Sequence, residues 1–353
     1  MAGMGRITNL IKVKGINKIC SLVLAMLLIS GVFTGCVQQK SQTDSSPTAT
    51  VSPIATMANN GQAQANTSVY PLKIKDATGV EMTVEKKPEA IVSMILGTDE
   101  ILVSLTDKSK IKALSGKIAE KKGISNITDI AKDYMKVESN IETVISLKPD
   151  IVFAADYMRQ DAIKQLRDAG IVVFCTKTPT NIEEQKEVIL EVANIIGENE
   201  KGRQIVEDMD KKLKEIEDKV KTLKDEEKLT ALSYNSYGST YSKGTTFDDI
   251  ITKAGLINAA AKAGLDAYAQ ISKEKIIEIN PDVIFLPDWS YDESEDMSAF
   301  AEELKKDKSL ASVNAIKNNR IYLLPEKHMS SVSQYVVLGV EDAAKAAYPH
   351  LFE

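Results

Sequence analysis

The feature that most constrains this chain is an internal repeat at an offset of 132 residues. Glu142-Thr-Val-Ile-Ser-Leu-Lys-Pro-Asp-Ile-Val-Phe-Ala-Ala-Asp156 matches Glu274-Lys-Ile-Ile-Glu-Ile-Asn-Pro-Asp-Val-Ile-Phe-Leu-Pro-Asp288. The shared positions are the Glu, the aliphatic residues before the proline, Pro-Asp, the aliphatic pair with its Phe, and the closing Asp. A period this long marks a duplicated domain, unlike the short periods of a solenoid. About 280 ordered residues also exceed what one hydrophobic core usually serves, so two domains are expected.

Each copy has the same local logic. Asn140 and Ser272 can cap a short helix, with Glu142 or Glu274 in its first turn. Pro149 and Pro281 end that helix, because the residue before a proline is pushed out of the α region. Ile151–Phe153 and Val283–Phe285 are then short apolar runs of the kind buried on both faces of a sheet. Further strand candidates are Ala90–Met94, Ile171–Cys175, Thr230–Tyr234 and Arg320–Leu324. Helical stretches such as Asp99–Leu105, Asp161–Asp168 and Phe247–Lys253 alternate with them. This alternation predicts an α/β protein with parallel, doubly wound sheets.

Between the copies runs a charged helix predicted over Glu200–Lys224, capped by Asn199. Ile205, Met209, Leu213, Ile216, Val220 and Leu223 recur at steps of three and four, one apolar stripe suited to lying along both lobes. A coiled-coil dimer segment is the alternative, with only about three heptads available.

The N-terminus has a different composition. Arg6, Lys12, Lys14 and Lys18 precede Cys36 with no acidic residue among them, and Ile19 to Phe33 is apolar. This reads as an export signal, short of the ~20 residues a spanning helix needs. The chain holds 44 Lys+Arg against 50 Asp+Glu, so the part after Cys36 has a net charge of about −10. An acidic body with two His and no basic tract argues against nucleic-acid binding. Phe33-Thr-Gly-Cys36 resembles the lipobox of bacterial lipoproteins, departing from it at Phe33, where that pattern has Leu. Cys36 is therefore the expected lipidation site, with cleavage as an ordinary signal peptide as the alternative. Residues 37–69, poor in charge and without aromatics, read as a disordered tether. Cys175 stands alone in an apolar run and reads as a small hydrophobe.

The body resembles the substrate-binding lipoproteins of iron-siderophore and vitamin B12 ABC importers, the helical-backbone Fe/B12 periplasmic-binding family. The resemblance runs from Leu72 to Phe352. It rests on Asp76-Ala-Thr-Gly79, Lys87-Pro-Glu-Ala-Ile-Val-Ser93, Glu100 opening a helix, Ser139-Asn-Ile-Glu142, and Leu147-Lys-Pro-Asp150. The long helix, Ser272-Lys-Glu274 before Asn280-Pro-Asp282, and Tyr348-Pro349 complete it. It implies two Rossmann-like lobes with mainly parallel sheets, joined by one long rigid helix: 70–198, 199–226 and 227–353. It further implies an ABC transporter permease dimer as partner, with Glu142 and Glu274 docking on it. The plainer reading of those two residues is a helix-start Glu placed for the dipole. A monomer is expected, attached to the cell membrane only through lipid.

Loops after the strands should line the ligand cleft. The closing Asp of each copy is followed by an aromatic, Tyr157 or Trp289, with Arg159 and Tyr291 two residues further on in each case. Tyr234, Tyr237 and Tyr241 lie in or beside a Gly/Ser-rich loop, Lys117 follows Ala113–Gly116, and His328 follows the Arg320–Leu324 run. Aromatic faces with a few cations suit a large, partly apolar chelate, with Arg159 and Lys117 facing its anionic groups. Surface-loop roles are the alternative for Tyr241 and Tyr291, and a hydrogen-bonded loop residue is the alternative to His328 as an axial ligand. A receptor for free zinc or manganese would need several His, and no nucleotide-, hydrolase- or zincin-type motif is present. The expected function is an extracytoplasmic receptor without catalysis or intrinsic cofactor, binding an iron-siderophore, with corrinoid or haem as alternatives. A surface-anchored enzyme or adhesin is the reading from another class.

Overall fold

The repeat is expressed in the backbone down to single hydrogen bonds. Asn140 accepts from the N–H of Thr143 and Ser272 from that of Lys275, capping the helices Ile141–Ser146 and Lys273–Ile279. Before the two prolines, the equivalent residues Lys148 and Asn280 take positive φ of 47° and 49°. Proline excludes the right-handed helix at these positions, and the left-handed turn points the chain into the next strand. Asp150 then accepts from the N–H groups of Glu89 and Ala90 at 2.9 and 3.0 Å. Asp282 accepts from the N–H and hydroxyl of Thr230 at 3.0 and 2.7 Å. Each Pro-Asp thus ties its own strand to the beginning of the neighbouring one.

The computed structural model describes residues 68–353 apart from Ser139 and Ser294. The leader, Cys36, the tether up to residue 67, and Ser139 of the Ser-Asn-Ile-Glu motif lie outside the described residues. Ser68, expected within the tether, is already pinned: its hydroxyl donates to the Asn194 carbonyl at 2.6 Å and accepts from Asn199 at 2.7 Å.

The first lobe opens with an antiparallel hairpin, β1 (Leu72–Lys75) and β2 (Glu81–Val84). Its turn is the Asp76-Ala-Thr-Gly79 motif: the Asp76 carboxylate accepts from the N–H groups of Thr78 and Val80, and Gly79 supplies φ of 86°. The strands β3 (Ile91–Ser93), β4 (Ile111–Ser115), β5 (Lys136–Val137), β6 (Ile151–Ala155) and β7 (Val172–Thr176) follow. They form one parallel sheet in the order β5-β4-β3-β6-β7. Every residue of β6 is buried, as its uninterrupted apolar run requires in a sheet covered on both faces. Cys175 is buried in β7, and burial, with the Asp76 charge beside it, pushes its thiol up to about 12, an inert value.

The second lobe contains β8 (Thr230–Ser233), β9 (Ser239–Tyr241), β10 (Ile257–Asn258), β11 (Tyr268–Gln270), β12 (Val283–Pro287) and β13 (Ile321–Leu324). Its parallel sheet has the order β10-β8-β12-β13, and β9 and β11 form a separate antiparallel pair. The repeated strands, β6 and β12, occupy equivalent central places.

The long helix spans Asn199–Val220, roughly 33 Å at 1.5 Å per residue, and ends four residues earlier than its sequence predicts. Its N-cap is Glu198; Asn199 sits inside the first turn and bonds Ser68 instead. Met209, Ile216 and Val220 of the stripe are buried, and Ile205, Leu213 and Leu223 pack against the same core. That core is continuous from Phe153 and Phe174 of the first lobe, through the helix, to Phe247, Phe285 and Val340 of the second. Close packing across the whole span resists a wide hinge motion. Among the described residues, no helix is long and apolar enough to cross a membrane.

Candidate ligand-binding site

The site begins with the closing Asp of each repeat. Asp156 accepts from the N–H and hydroxyl of Thr178 at 3.1 and 2.5 Å, fixing the loop after β7. Asp288 accepts from the Glu326 N–H at 2.8 Å, fixing the loop after β13. In both lobes the loop so held lies at the carboxyl edge of the sheet, where open α/β folds bind ligands.

A cleft of about 770 Å³ lies at the edge of the first sheet. Its wall comes from the ends of β3, β4, β6 and β7: Met94 and Ile95, Ser115 to Ile118, Ala155 with Tyr157 and Met158, and Thr176 to Pro179. The second lobe closes it with Tyr291 and Ser330 to Val332. Lys117, Lys121 and Lys177 line it, so cations outnumber the carboxylates Glu100 and Glu138. Lys177 pairs with Glu184, and Lys121 crosses between the lobes to Glu293 at 2.6 Å.

The floor joins the lobes through Glu100, which is buried. Its carboxylate accepts from the Asn126 N–H at 2.8 Å and from the Ser333 hydroxyl at 2.5 Å. Gln334 donates to the Glu100 carbonyl at 3.0 Å, and Asn126 to the Lys327 carbonyl at 2.9 Å. Burial raises the Glu100 pKa, opposed by the bonds from Ser333 and Asn126. One residue earlier, Asp99 is fully buried and receives the Ser115 N–H at 3.0 Å, with Ser115 Oγ 2.5 Å from its other oxygen. Burial pushes this carboxyl up to about 8, so it is largely protonated at neutral pH.

A second cavity, about 160 Å³, lies at the edge of the second sheet and shares Tyr291 and Ser330 with the cleft. Its walls are aromatic. Trp289 meets Tyr291 edge-on at 4.7 Å, and Tyr241 lies 6.1 Å from Phe247 and 5.1 Å from Tyr268. Tyr234 is buried and stacks on Phe300, while the exposed Tyr237 places its hydroxyl 3.4 Å from Ser290. Burial pushes the Tyr241 phenol up to about 12, reinforced by the Glu326 charge.

The structure thus brings Lys117, Tyr157, Tyr234, Tyr237, Tyr241, Trp289 and Tyr291 to the two connected cavities. It does not bring Arg159 or His328 there. Arg159 is 83% exposed at the start of the helix Gln160–Asp168 and pairs with Asp161 two residues on. His328 is only 15% exposed and faces the helix Val336–Ala347, its Nδ1 2.6 Å from Asp342. Across the gap between the lobes, the Tyr291 phenol feels that of Tyr157, and Trp289 lies over Gly123 of the first lobe. A Cβ at Gly123 would stand 2.2 Å from the indole, so only glycine admits the ring. Glu142 and Glu274 are both exposed in the first turns of their helices.

Sequence reasoning missed Glu326, Lys121, Lys177, Gly123 and the Ser331–Gln334 segment. Glu100 was visible only as a helix-opening acid. Its partner Ser333 lies 233 residues away, a separation no local pattern reports.

A model of the periplasmic binding protein family matches residues 83–328. The chain belongs to this family. It is accordingly a solute-binding transport protein and not an enzyme. YvrC of Bacillus subtilis, an uncharacterized ABC transporter substrate-binding lipoprotein, is 29% identical over 341 residues, covering 93% of this chain and 97% of that one. An iron-uptake system-binding protein of the same organism is 27% identical over 250 residues, 69% of this chain and 76% of the relative. The molybdate-bound structure of MolA from Haemophilus influenzae has a TM-score of 0.65 at 23% identity, covering 80% of this chain and 92% of that one. The names of two of these relatives differ in cargo, iron uptake for one and molybdate for the other.

Proposed function

We propose that this periplasmic binding protein captures a bulky, partly anionic metal chelate, an iron-siderophore first, and passes it unaltered to an ABC importer permease. The cleft of about 770 Å³, walled by both lobes and lined by Lys117, Lys121 and Lys177, carries this reading. That volume suits a molecule of drug size or larger and is far more than a bare oxyanion such as molybdate fills. Its lysines suit carboxylate, hydroxamate or catecholate edges, while Tyr157 and Tyr291 offer ring faces. Corrinoid and haem remain the alternatives of the same kind, supported by the aromatic cavity beside the cleft. The lipid-anchored display expected from Cys36 agrees with YvrC of Bacillus subtilis being a lipoprotein.

Intrinsic fluorescence tests the ligand. Trp289 is the only tryptophan in the chain; it lines the second-lobe cavity beside Tyr291, which lines both cavities. Titration with ferric trihydroxamate or tricatecholate should quench it saturably, with cobalamin, haem and molybdate run alongside. Submicromolar binding of molybdate, with no chelate bound, overturns the reading. Docking through Glu142 and Glu274 predicts that the double change to Ala stops uptake while ligand affinity stays within a few-fold; normal uptake would place the permease contact elsewhere.

A further inference from the structure

The two connected cavities have opposite chemistry. Lysines line the large cleft, whereas the lining of the second-lobe cavity includes no Lys or Arg among the described residues. Its one acidic side chain is Glu326, among the rings of Tyr237, Tyr241, Trp289 and Tyr291. Glu326 is held in place at both ends: its N–H donates to Asp288, and its carboxylate accepts from the Ser330 hydroxyl. No Lys, Arg or His among the described residues pairs with it. A carboxylate crowded by aromatic rings without a counter-charge is costly unless it is protonated or meets a cation. Burial, with Asp288 adding to it, pushes this carboxyl up to about 7, the behaviour of an acid in that position. Aromatic faces attract the same partner, because ring quadrupoles bind ammonium groups.

We propose that the cavity bounded by Tyr237, Tyr241, Trp289, Tyr291 and Glu326 is a subsite for an alkylammonium group carried by the ligand. This rests on the reading of the adjoining cleft as the place of the ligand's bulky body. Tyr291 and Ser330 line both cavities, so one molecule reaches both without crossing a wall. The ligand class is then zwitterionic: an anionic or polar chelate facing the lysines, with a positively charged arm directed into the second lobe.

The groups facing Glu326 are Asp288 at the end of β12, Tyr241 at the end of β9, Tyr291 in the loop after β12, and Ser330. Burial raises both phenols, Tyr241 to about 12, so Glu326 dominates the response near neutrality. Affinity for an ammonium arm should therefore rise between pH 6 and pH 8, while the arm itself remains charged.

The test uses two probes on the full chain: a ferric trihydroxamate bearing a free alkylammonium arm, and its N-acetylated form. Calorimetry should find the ammonium form bound about tenfold more tightly or better. Glu326→Gln should erase that preference and its pH dependence, so that the two probes bind alike. Tetramethylammonium alone should perturb Trp289 emission in the wild type and not in the variant. Equal affinity for the two probes in the wild type overturns the subsite while leaving the chelate reading standing. If neither probe binds but tetramethylammonium perturbs Trp289 through Glu326, the subsite stands and the chelate reading falls. A second variant, Tyr241→Leu, should lower the preference by removing a ring and leaving the acid; an unchanged preference there as well as in Glu326→Gln counts against the proposal.

Discussion

The two copies of the repeat build the same scaffold and then diverge in chemistry. In each, a capped helix, a left-handed residue before proline, a Pro-Asp staple and a closing Asp set one buried strand in the middle of a parallel sheet. Beyond the closing Asp the likeness stops. Asp156 holds the loop bearing Lys177 and Thr178 against a wide cleft, whereas Asp288 holds Glu326 in a narrow cavity of aromatic rings. The lesson is that positions bonding to backbone stay fixed between copies because the backbone geometry is common. The side chains one to three residues further on differ because each meets its own neighbours: Arg159 pairs with Asp161, whereas Trp289 packs over Gly123 and against Tyr291.

The largest effect should come from a feature that one lobe has without the other. Asp99 backs the cleft wall behind Ser115, and its pKa of about 8 lies well above the value near 4 of an unfolded chain. The folded state therefore holds a proton that the unfolded state releases, so the contribution of Asp99 to stability is fully present below pH 4 and declines as pH rises towards 8. The difference is worth about 3–5 kcal/mol across that window. Asp99→Asn should flatten it, which denaturant titrations at pH 5, 7 and 9 will read. An unchanged pH slope in the variant would refute the assignment.

Equivalence of the Pro-Asp staples is tested next. Asp150→Ala and Asp282→Ala should each cost about 2–3 kcal/mol, since each strands at least two backbone or hydroxyl donors. Burial opposes ionisation of both carboxyls, but the hydrogen bonds, from Glu89 for Asp150 and from Thr230 for Asp282, hold their pKa values below normal. Their contribution is present above pH 4 and lost as pH falls through the folded pKa. A cost under about 0.5 kcal/mol for either one would break the equivalence.

The smallest effect concerns the lysine-lined wall. Lys117→Ala should weaken binding of an anionic ferric chelate by about 0.5–1 kcal/mol, and the loss should shrink as salt screens an exposed cation. Equal weakening at low and high salt would point to packing by the lysine stem in place of charge.

The sequence by itself determined the scaffold. Caps, breakers, apolar runs and the stripe on the long helix are local signals, set by backbone geometry and by periods of a few residues. They located both central strands, both short helices and the joining helix, with errors of a few residues at the ends. They did not reveal the β1–β2 hairpin or the β9–β11 pair, whose strands of three or four residues give too short a pattern to stand out. At the site, sequence order placed Lys117 and Tyr157 at the carboxyl edge of the first sheet and Trp289 and Tyr291 at that of the second, because strand ends are legible. Only the tertiary structure decided where each side chain turns. His328 found Asp342 on the following helix, Trp289 found space over Gly123 of the other lobe, and Glu100 found Ser333 far along the chain. Those choices depend on rotamers and on partners brought close only by packing two lobes on one helix, so no pattern within a few residues of sequence contains them.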